Sequence, residues 1–332
     1  MTDTPDTREA ALVDAFTDEP LAGNAAGVVP DATGLSETQM QAVARELAVS
    51  ETAFLTPADD ADRRVRYFTP TTEVDLCGHA TVAAHAYLHE TERLDPGTHT
   101  LATNVGTLSI EVHEDGTVWM TQNPPTVYEV DADYDVIAAA LGCETAALTG
   151  VGDALPVAYA STGLPFLVVP VDFLDALGGL DPDFPAVERL AEAHDAAGVY
   201  AFTFDTLSAE STLHGRCLVP GAGVPEDPVT GTASGACGAY LDHFGAFREN
   251  GSDRAPGDRA GLGESSTATD VSTTVGTPEE MVFEQGHYLD RPGRVHVRAS
   301  GSDAPTVGGT AVTSFEGQIR VPDEADDEII EA

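Results

Sequence analysis

One segment of the chain occurs twice. From Gly78 to Leu88 the sequence reads GHATVAAHAYL, and 153 positions later, from Gly231 to Leu241, it reads GTASGACGAYL, with six of the eleven residues identical. Each copy follows a loop containing acidic residues and proline, opens on Gly and a polar side chain, and continues as small residues without proline. That pattern predicts a helix that starts in the open and then packs tightly. The first N–H groups of such a helix lack an intrahelical acceptor and carry the positive end of its dipole, so each copy can receive a carboxylate. A single copy reads equally well as a core helix with a polar start, and only repetition of the whole unit ties it to a fold.

Other matches lie in the same order. Gly163 to Pro170 (GLPFLVVP) answers Gly23 to Pro30 (GNAAGVVP) at a shift of 140, Ala201-Phe202 answers Ala53-Phe54 at 148, and Gly293-Arg294-Val295 answers Gly116-Thr117-Val118 at 177. Collinear matches with growing shifts predict one duplicated α/β unit carrying insertions. Residues 1–122 with 310–322 are expected to form a first domain and 123–309 a second, with a boundary at Asn123-Pro124-Pro125. Within the first unit the alternation predicts strands at Ala10–Phe16, at Val28-Val29 and at Arg64–Phe68. A helix capped by Ser36 with Gln39 runs to Ala48 and delivers a strand beginning Ser50-Glu51. Leu101–Leu108 and Ser109–Val112 read as further strands, and Asp115-Gly116 turns the chain into Thr117–Thr121. Thr310–Val321 is strand-like and lies beyond the last repeat element, free to cross back to the first sheet. Residues 246–280, rich in Gly, Ser, Thr and acids, read as a solvated insertion, and 323–332 as an acidic tail.

Composition bounds the function classes. The 332 residues carry 56 Asp and Glu against 15 bases, all of them Arg, for a formal net charge of −41. Such a surface repels itself in dilute buffer and is tolerable where salt shortens the Debye length to roughly 3 Å at 1 M, which points to a halophilic source. Nucleic-acid binding is excluded for want of a basic patch. An anionic substrate would have to be held by local N–H groups. The four cysteines, Cys77, Cys143, Cys217 and Cys237, form no CxxC pair and no His/Cys group with zinc spacing, so reduced thiols and no metal are expected. No signal peptide and no run of 18 apolar residues is seen, and a cytoplasmic protein without membrane partners is expected.

Function is sought where the halves differ. At the place of Ser50-Glu51 the second half offers Gly198-Val199, so one half alone supplies a carboxylate, suited to proton abstraction and return. Glu51 also reads as a strand residue of an acidic surface, His79 as a capping histidine, and Asp227 as a turn residue before Pro228. In a cleft lined by the paired helix starts, Glu51, His79, Asp227 and Thr232 can all face one small ligand.

These segments carry a resemblance. Val13 to Val29 (VDAFTDEPLAGNAAGVV), Ser50 to Phe54 (SETAF), Phe68 to Thr81 (FTPTTEVDLCGHAT) and Glu226 to Ala233 (EDPVTGTA), with Gln285-Gly286 and Arg291-Pro292-Gly293, resemble the signatures of the phenazine-biosynthesis isomerase (PhzF-like) family. The resemblance implies the diaminopimelate-epimerase fold, an α/β (α+β) architecture of two pseudo-repeated domains. Each is a barrel-like, mostly antiparallel sheet around a central helix. It further implies a homodimer and a cofactor-free isomerisation of a small carboxylate with Glu51 as acid/base. His79 and Asp227 join Glu51 as catalytic residues, and Asn24, Gly78, Gly231 and Thr232 bind substrate. Thr232 stands where the family has Ser, and Asn24-Ala25-Ala26-Gly27 lacks the family's proline.

Two other readings stay open. A racemase or epimerase of the same fold would use two opposed thiols, but the position across from Cys77 is Thr230. A non-catalytic binder of small organic anions would keep the cleft without the chemistry. Salt dependence follows from charge in every case: transfer to dilute buffer is expected to unfold the chain, as followed by circular dichroism, and full stability there would contradict the halophilic reading.

Overall fold

The computed structural model describes residues 6–151, 155–247, 277–299, 301 and 303–323. The expected insertion at 246–280 and tail at 323–332 fall outside the described residues except for a few at their ends. The first half runs β1 (Thr7–Ala15), β2 (Asn24–Val29), α1 (Glu37–Leu47), β3 (Glu51–Thr56), β4 (Arg63–Phe68), β5 (Glu73–Val74), α2 (Gly78–Glu90), β6 (Gly97–Thr103), β7 (Gly106–Val112) and β8 (Val118–Thr121). The second runs β9 (Thr126–Glu129), α3 (Tyr134–Leu141), α4 (Thr145–Thr149), β10 (Ala158–Ser161), β11 (Pro165–Pro170), α5 (Leu174–Gly178), α6 (Phe184–Ala193), β12 (Gly198–Thr203), β13 (Leu213–Leu218), β14 (Glu226–Asp227), α7 (Gly231–Phe244), β15 (Met281–Gln285), β16 (Gly293–Arg298) and β17 (Thr306–Gly309). A last strand, β18 (Ala311–Arg320), returns to pair antiparallel with β1.

The sheet is mixed and mostly antiparallel. Its order in the first half is β18-β1-β2-β3-β4-β6-β7-β8, with β5 also on β4. In the second half it is β9-β10-β11-β12-β13-β15-β16-β17, with β14 also on β13. Each half holds two parallel pairs at matching places, β2 with β3 and β4 with β6, then β11 with β12 and β13 with β15. β8 and β17 join the halves antiparallel, with Met120 opposite Val307. Met120 also faces Ile110 on β7 as Val307 faces Val297 on β16, so two equivalent residues meet each other and the halves are related by a local two-fold.

α2 packs against β1, β2, β3, β7, β8 and β18, and α7 against β9, β10, β11, β16 and β17. A helix enclosed on all sides cannot be amphipathic, which explains the alanine runs. Residues 80–88 of α2 and 233–241 of α7 are buried without interruption. Closeness also sets the identity of Gly235 on α7, where Val82 stands on α2. A Cβ at Gly235 would crowd the buried Gln122 amide and the Val307 side chain. His85, sealed inside α2, is neutral, its pKa pushed down to about 4 by burial. α1 covers β3 and β4 from outside, its start capped by Ser36 and Gln39, while α5 and α6 cover β12 in the second half.

The structure corrects three sequence expectations. The strand expected from Leu101 to Leu108 is broken at Asn104-Val105, where Gly106, with φ 123°, closes a tight hairpin between β6 and β7. Gly293 opens β16 against Gln285 as Gly106 opens β7 against Thr103, so the counterpart of Gly293 is Gly106, 187 positions earlier, and not Gly116. In the sheet, Glu51 lies opposite Ala26 and Gly198 opposite Phe166, which makes Gly198 rather than Val199 the equivalent of Glu51. One-residue slips of this kind are invisible where a strand such as β12 is buried at every position and so shows no alternation.

An unforeseen match is a pair of forks. Arg66 on β4 donates through Nε and Nη2 to Glu73 on β5, and Arg216 on β13 donates in the same way to Glu226 on β14. Each fork clips a two-residue strand to its neighbour just before a central helix begins. The second is deeper: both side chains are 8% exposed, and Arg216 Nη1 also donates to the Leu177 and Leu180 carbonyls at 3.1 Å. The first is about a quarter exposed, at 24% and 22%. Removing one member of a buried pair strands a charge and costs about 3–5 kcal/mol, whereas a partly exposed pair is worth about 1 kcal/mol. Urea unfolding in concentrated salt should therefore show the larger loss for Arg216→Ala and the smaller for Arg66→Ala; equal losses would refute the role given to burial.

Candidate active site

Where the two central helices begin, neither is closed by a side chain. Cys77 and Thr230 occupy the N-cap positions of α2 and α7 and make no capping hydrogen bond, so the N–H groups of both first turns stay open. Both starts border one cavity of about 450 Å³, lined among others by Ser50, Glu51, His79, Asp227, Gly231 and Thr232. Helix dipoles that converge on one space make it hospitable to negative charge.

The acidic groups arrive from different elements. Glu51 is the first residue of β3, set beside α2 by the parallel pairing with β2. Its Oε2 lies 3.5 Å from His79 Nε2, which is also 3.2 Å from the Ser50 hydroxyl. The Cys77 sulfur lies alongside the ring, 3.4 Å from Nδ1 and 4.0 Å from Nε2. One tautomer serves both contacts: the Cys77 S–H donates to Nδ1, and Nε2–H donates toward Ser50 and Glu51. The state of the thiol agrees. Burial, then the Glu51 carboxylate, push the Cys77 thiol well above its ordinary pKa, against the opposite pull of the Ala80 and His79 N–H groups.

Asp227 is the last residue of β14 and faces Cys217 on β13. In the first half the same register holds Val74, opposite Tyr67. Each half thus contributes one carboxylate where the other has none, Glu51 against Gly198 and Asp227 against Val74. Asp227 is held from three sides. Asn24 Nδ2 donates to Oδ1 at 2.9 Å, the Thr230 hydroxyl to Oδ2, and Gln285 Nε2 to the Asp227 carbonyl at 2.8 Å. Gln285, itself buried, also accepts from the Thr230 N–H, so one amide fixes both the turn and the helix start.

Of the residues expected at the site, Glu51, Gly78, His79, Asp227, Gly231 and Thr232 border the same cavity. Asn24 does not. Its amide is spent on Asp227 and on the Val229 carbonyl, and the side chain is buried behind Asp227, so its place is that of a support and not of a substrate contact. Ser50, Thr230 and Gln285 escaped the site expected from sequence; only the fold shows that they touch His79 and Asp227. Glu51, Cys77 and His79 also present donor atoms all within 4.8 Å of one another. Their sequence spacing gives no hint, since Glu51 comes from another strand.

Burial, the largest influence, raises the pKa of Asp227; the Glu51 charge adds to it, while His79, Thr230 and Asn24 pull it down. A carboxyl raised in the folded state binds its proton more readily there than in the unfolded chain, so stability falls as pH rises from the ordinary range near 4 through the raised value. Asp227→Asn keeps the shape without that titration. Relative to this variant, wild type should lose stability as pH climbs through that window and then level off; parallel pH profiles of urea unfolding would overturn the raised pKa.

A family model for phenazine biosynthesis-like proteins, PhzC-PhzF, matches residues 13–317. The chain is 33% identical over 314 residues to the uncharacterized isomerase YfhB of Bacillus subtilis, covering 92% of this chain and 96% of that one. It is 34% identical over 313 residues to the uncharacterized isomerase YddE of Escherichia coli K12, with the same coverage. The crystal structure of the Bacillus anthracis phenazine biosynthesis protein of the PhzF family is similar with a TM-score of 0.78 at 32% identity, over 95% of this chain and 100% of that one. A hydroxyproline epimerase from Agrobacterium vitis shares the fold, with a TM-score of 0.52 at 16% identity over 94% of this chain and 91% of that one. The chain therefore belongs to the phenazine biosynthesis-like, PhzC-PhzF family.

Proposed function

We propose that the chain is an isomerase that moves a proton between two carbons of a small carboxylate, with Glu51 as the single acid/base. The substrate carboxylate docks on the open N–H groups at Gly78-His79 and Gly231-Thr232. Glu51 takes the proton from the carbon beside the activated group, and the electron pair left behind spreads toward the docked carboxylate, where the two helix starts stabilise it. The carboxylic acid so formed, whose proton can exchange with solvent in the open cavity, delivers a proton at a second carbon on the same face. No proton or electron is gained or lost overall, so the step calls for no redox partner.

The observation that carries this reading is the one carboxylate on the cavity wall that both lies 3.5 Å from His79 Nε2 and is without a counterpart at Gly198. His79 Nε2–H would hold Glu51 in line, and Asp227 would orient the far end of the substrate. A two-thiol racemase is disfavoured by the chemistry of Cys77, which burial and Glu51 keep protonated, and by Thr230 at its equivalent post. The expected homodimer stays part of this proposal.

General acid/base groups contribute about 10²–10⁴-fold. Small unsaturated carboxylates in heavy water and concentrated salt, followed by NMR, should therefore exchange deuterium with wild type and about 10²–10⁴-fold more slowly with Glu51→Gln. Cys77→Ser should keep exchange within about tenfold, since it adds nothing to that step. Exchange lost with Cys77→Ser and kept with Glu51→Gln would give the chemistry to the thiol.

A further inference from the structure

We propose that Glu51, Cys77 and His79 together form a binding site for one soft divalent cation of the zinc type, and that its occupation silences the proton transfer by engaging Glu51. Zinc takes thiolate sulfur at about 2.3 Å and imidazole nitrogen or carboxylate oxygen at about 2.0–2.2 Å in tetrahedral arrangement. Donors around one such ion are then separated by roughly 3.3–3.6 Å. His79 Nε2 lies 3.5 Å from Glu51 Oε2 and 4.0 Å from the Cys77 sulfur, so small rotations suffice to close the set on a single ion. All three donors lie within 4.8 Å of one another without an ion.

Carboxylates on the wall offset the pull of the two helix starts for anions: Asp227, Glu188 and Glu192 join Glu51, and among the described residues no arginine lines the cavity. Three protein donors of mixed sulfur, nitrogen and oxygen type leave a fourth position toward the open cavity, where water or chloride completes the shell. Cys77 is buried, so the bond to sulfur is shielded from solvent. On binding, the metal–sulfur bond forms as the thiol proton leaves to solvent, and the His79 proton passes from Nε2 to Nδ1, which frees Nε2 for the ion. One proton is released per ion, and binding tightens as pH rises.

Binding itself does not depend on the role given to Glu51, but the silencing does, so the test separates them. Cobalt(II) titrated into the full chain in concentrated salt should produce a thiolate-to-cobalt charge-transfer absorption that saturates at one equivalent. The band should vanish in Cys77→Ser, weaken at least tenfold in affinity in His79→Ala, and persist in Cys143→Ser. Acidic surface groups bind cobalt without any such band, so cobalt uptake lacking it, or a band that survives in Cys77→Ser, would overturn the site. With the site filled by one equivalent of zinc, deuterium exchange should fall at least tenfold and return on adding chelator. A filled site with unchanged or faster exchange would overturn the silencing, and with it the assignment of Glu51 as the working base.

Discussion

Two helix beginnings that cannot be capped from within their own segments determine much of what this chain can be. Cys77 and Thr230 offer side chains at the N-cap that make no capping hydrogen bond to the first turn. Backbone N–H groups left open inside a protein need partners. A ligand meets that need when the local two-fold through Met120 and Val307 brings both starts to one space, and the pairing of β8 with β17 is what holds the two halves in that relation. The wrapped sheets, the alanine-rich helices and the long return strand β18 all serve to keep two enclosed helices in position.

Symmetry of the scaffold does not extend to its chemistry. A ligand lying on a true two-fold would meet the same groups from both sides and could not be protonated differently at two ends. Here the first half contributes Glu51 and His79 while the second contributes Asp227 and Thr232, and the vacated equivalents are Gly198 and Val74. The cavity therefore has a direction. Environment deepens the difference, because desolvation raises the Asp227 carboxyl while Asn24 and Thr230 grip it, whereas Glu51 lies beside His79.

Much of this was legible in the sequence, for reasons that differ by residue. The helix repeat survives as text because enclosure restricts those positions to small side chains, and Tyr87 and Tyr240 recur because each places a hydroxyl on a partner outside the helix, Glu9 and the Pro156 carbonyl. Glu51 stood out as a difference set against that repeat, whereas His79, Asp227 and Thr232 were found through their places at the helix starts and the family resemblance. The misses share another cause. Val199 was taken for Gly198 because a strand buried on both faces carries no mark of its register, and Gly116 was matched to Gly293 because a turn glycine looks the same wherever a hairpin turns. Asn24 was placed on the cavity because a motif residue says nothing about which way its amide points. Gln285 supports Thr230 and Asp227 from a strand more than fifty residues away, a relation only the fold creates.

The forks at Arg66 and Arg216 connect the unusual composition to the site. A chain with 56 acids and 15 arginines has few cations to place, yet two of them stand at the same register of the repeat, each gripping the glutamate that opens β5 or β14. Lysine could neutralise that glutamate but could not match both carboxylate oxygens with a planar pair of donors. Planarity matters because each clipped strand is only two residues long and has little ladder of its own to hold it. In the second half the strand so held ends on Asp227, and a shift of the clip would move that carboxylate relative to Asn24 and Thr230 together. The deeper fork, with its extra bonds to the Leu177 and Leu180 carbonyls, is found in the half whose short strand carries the carboxylate.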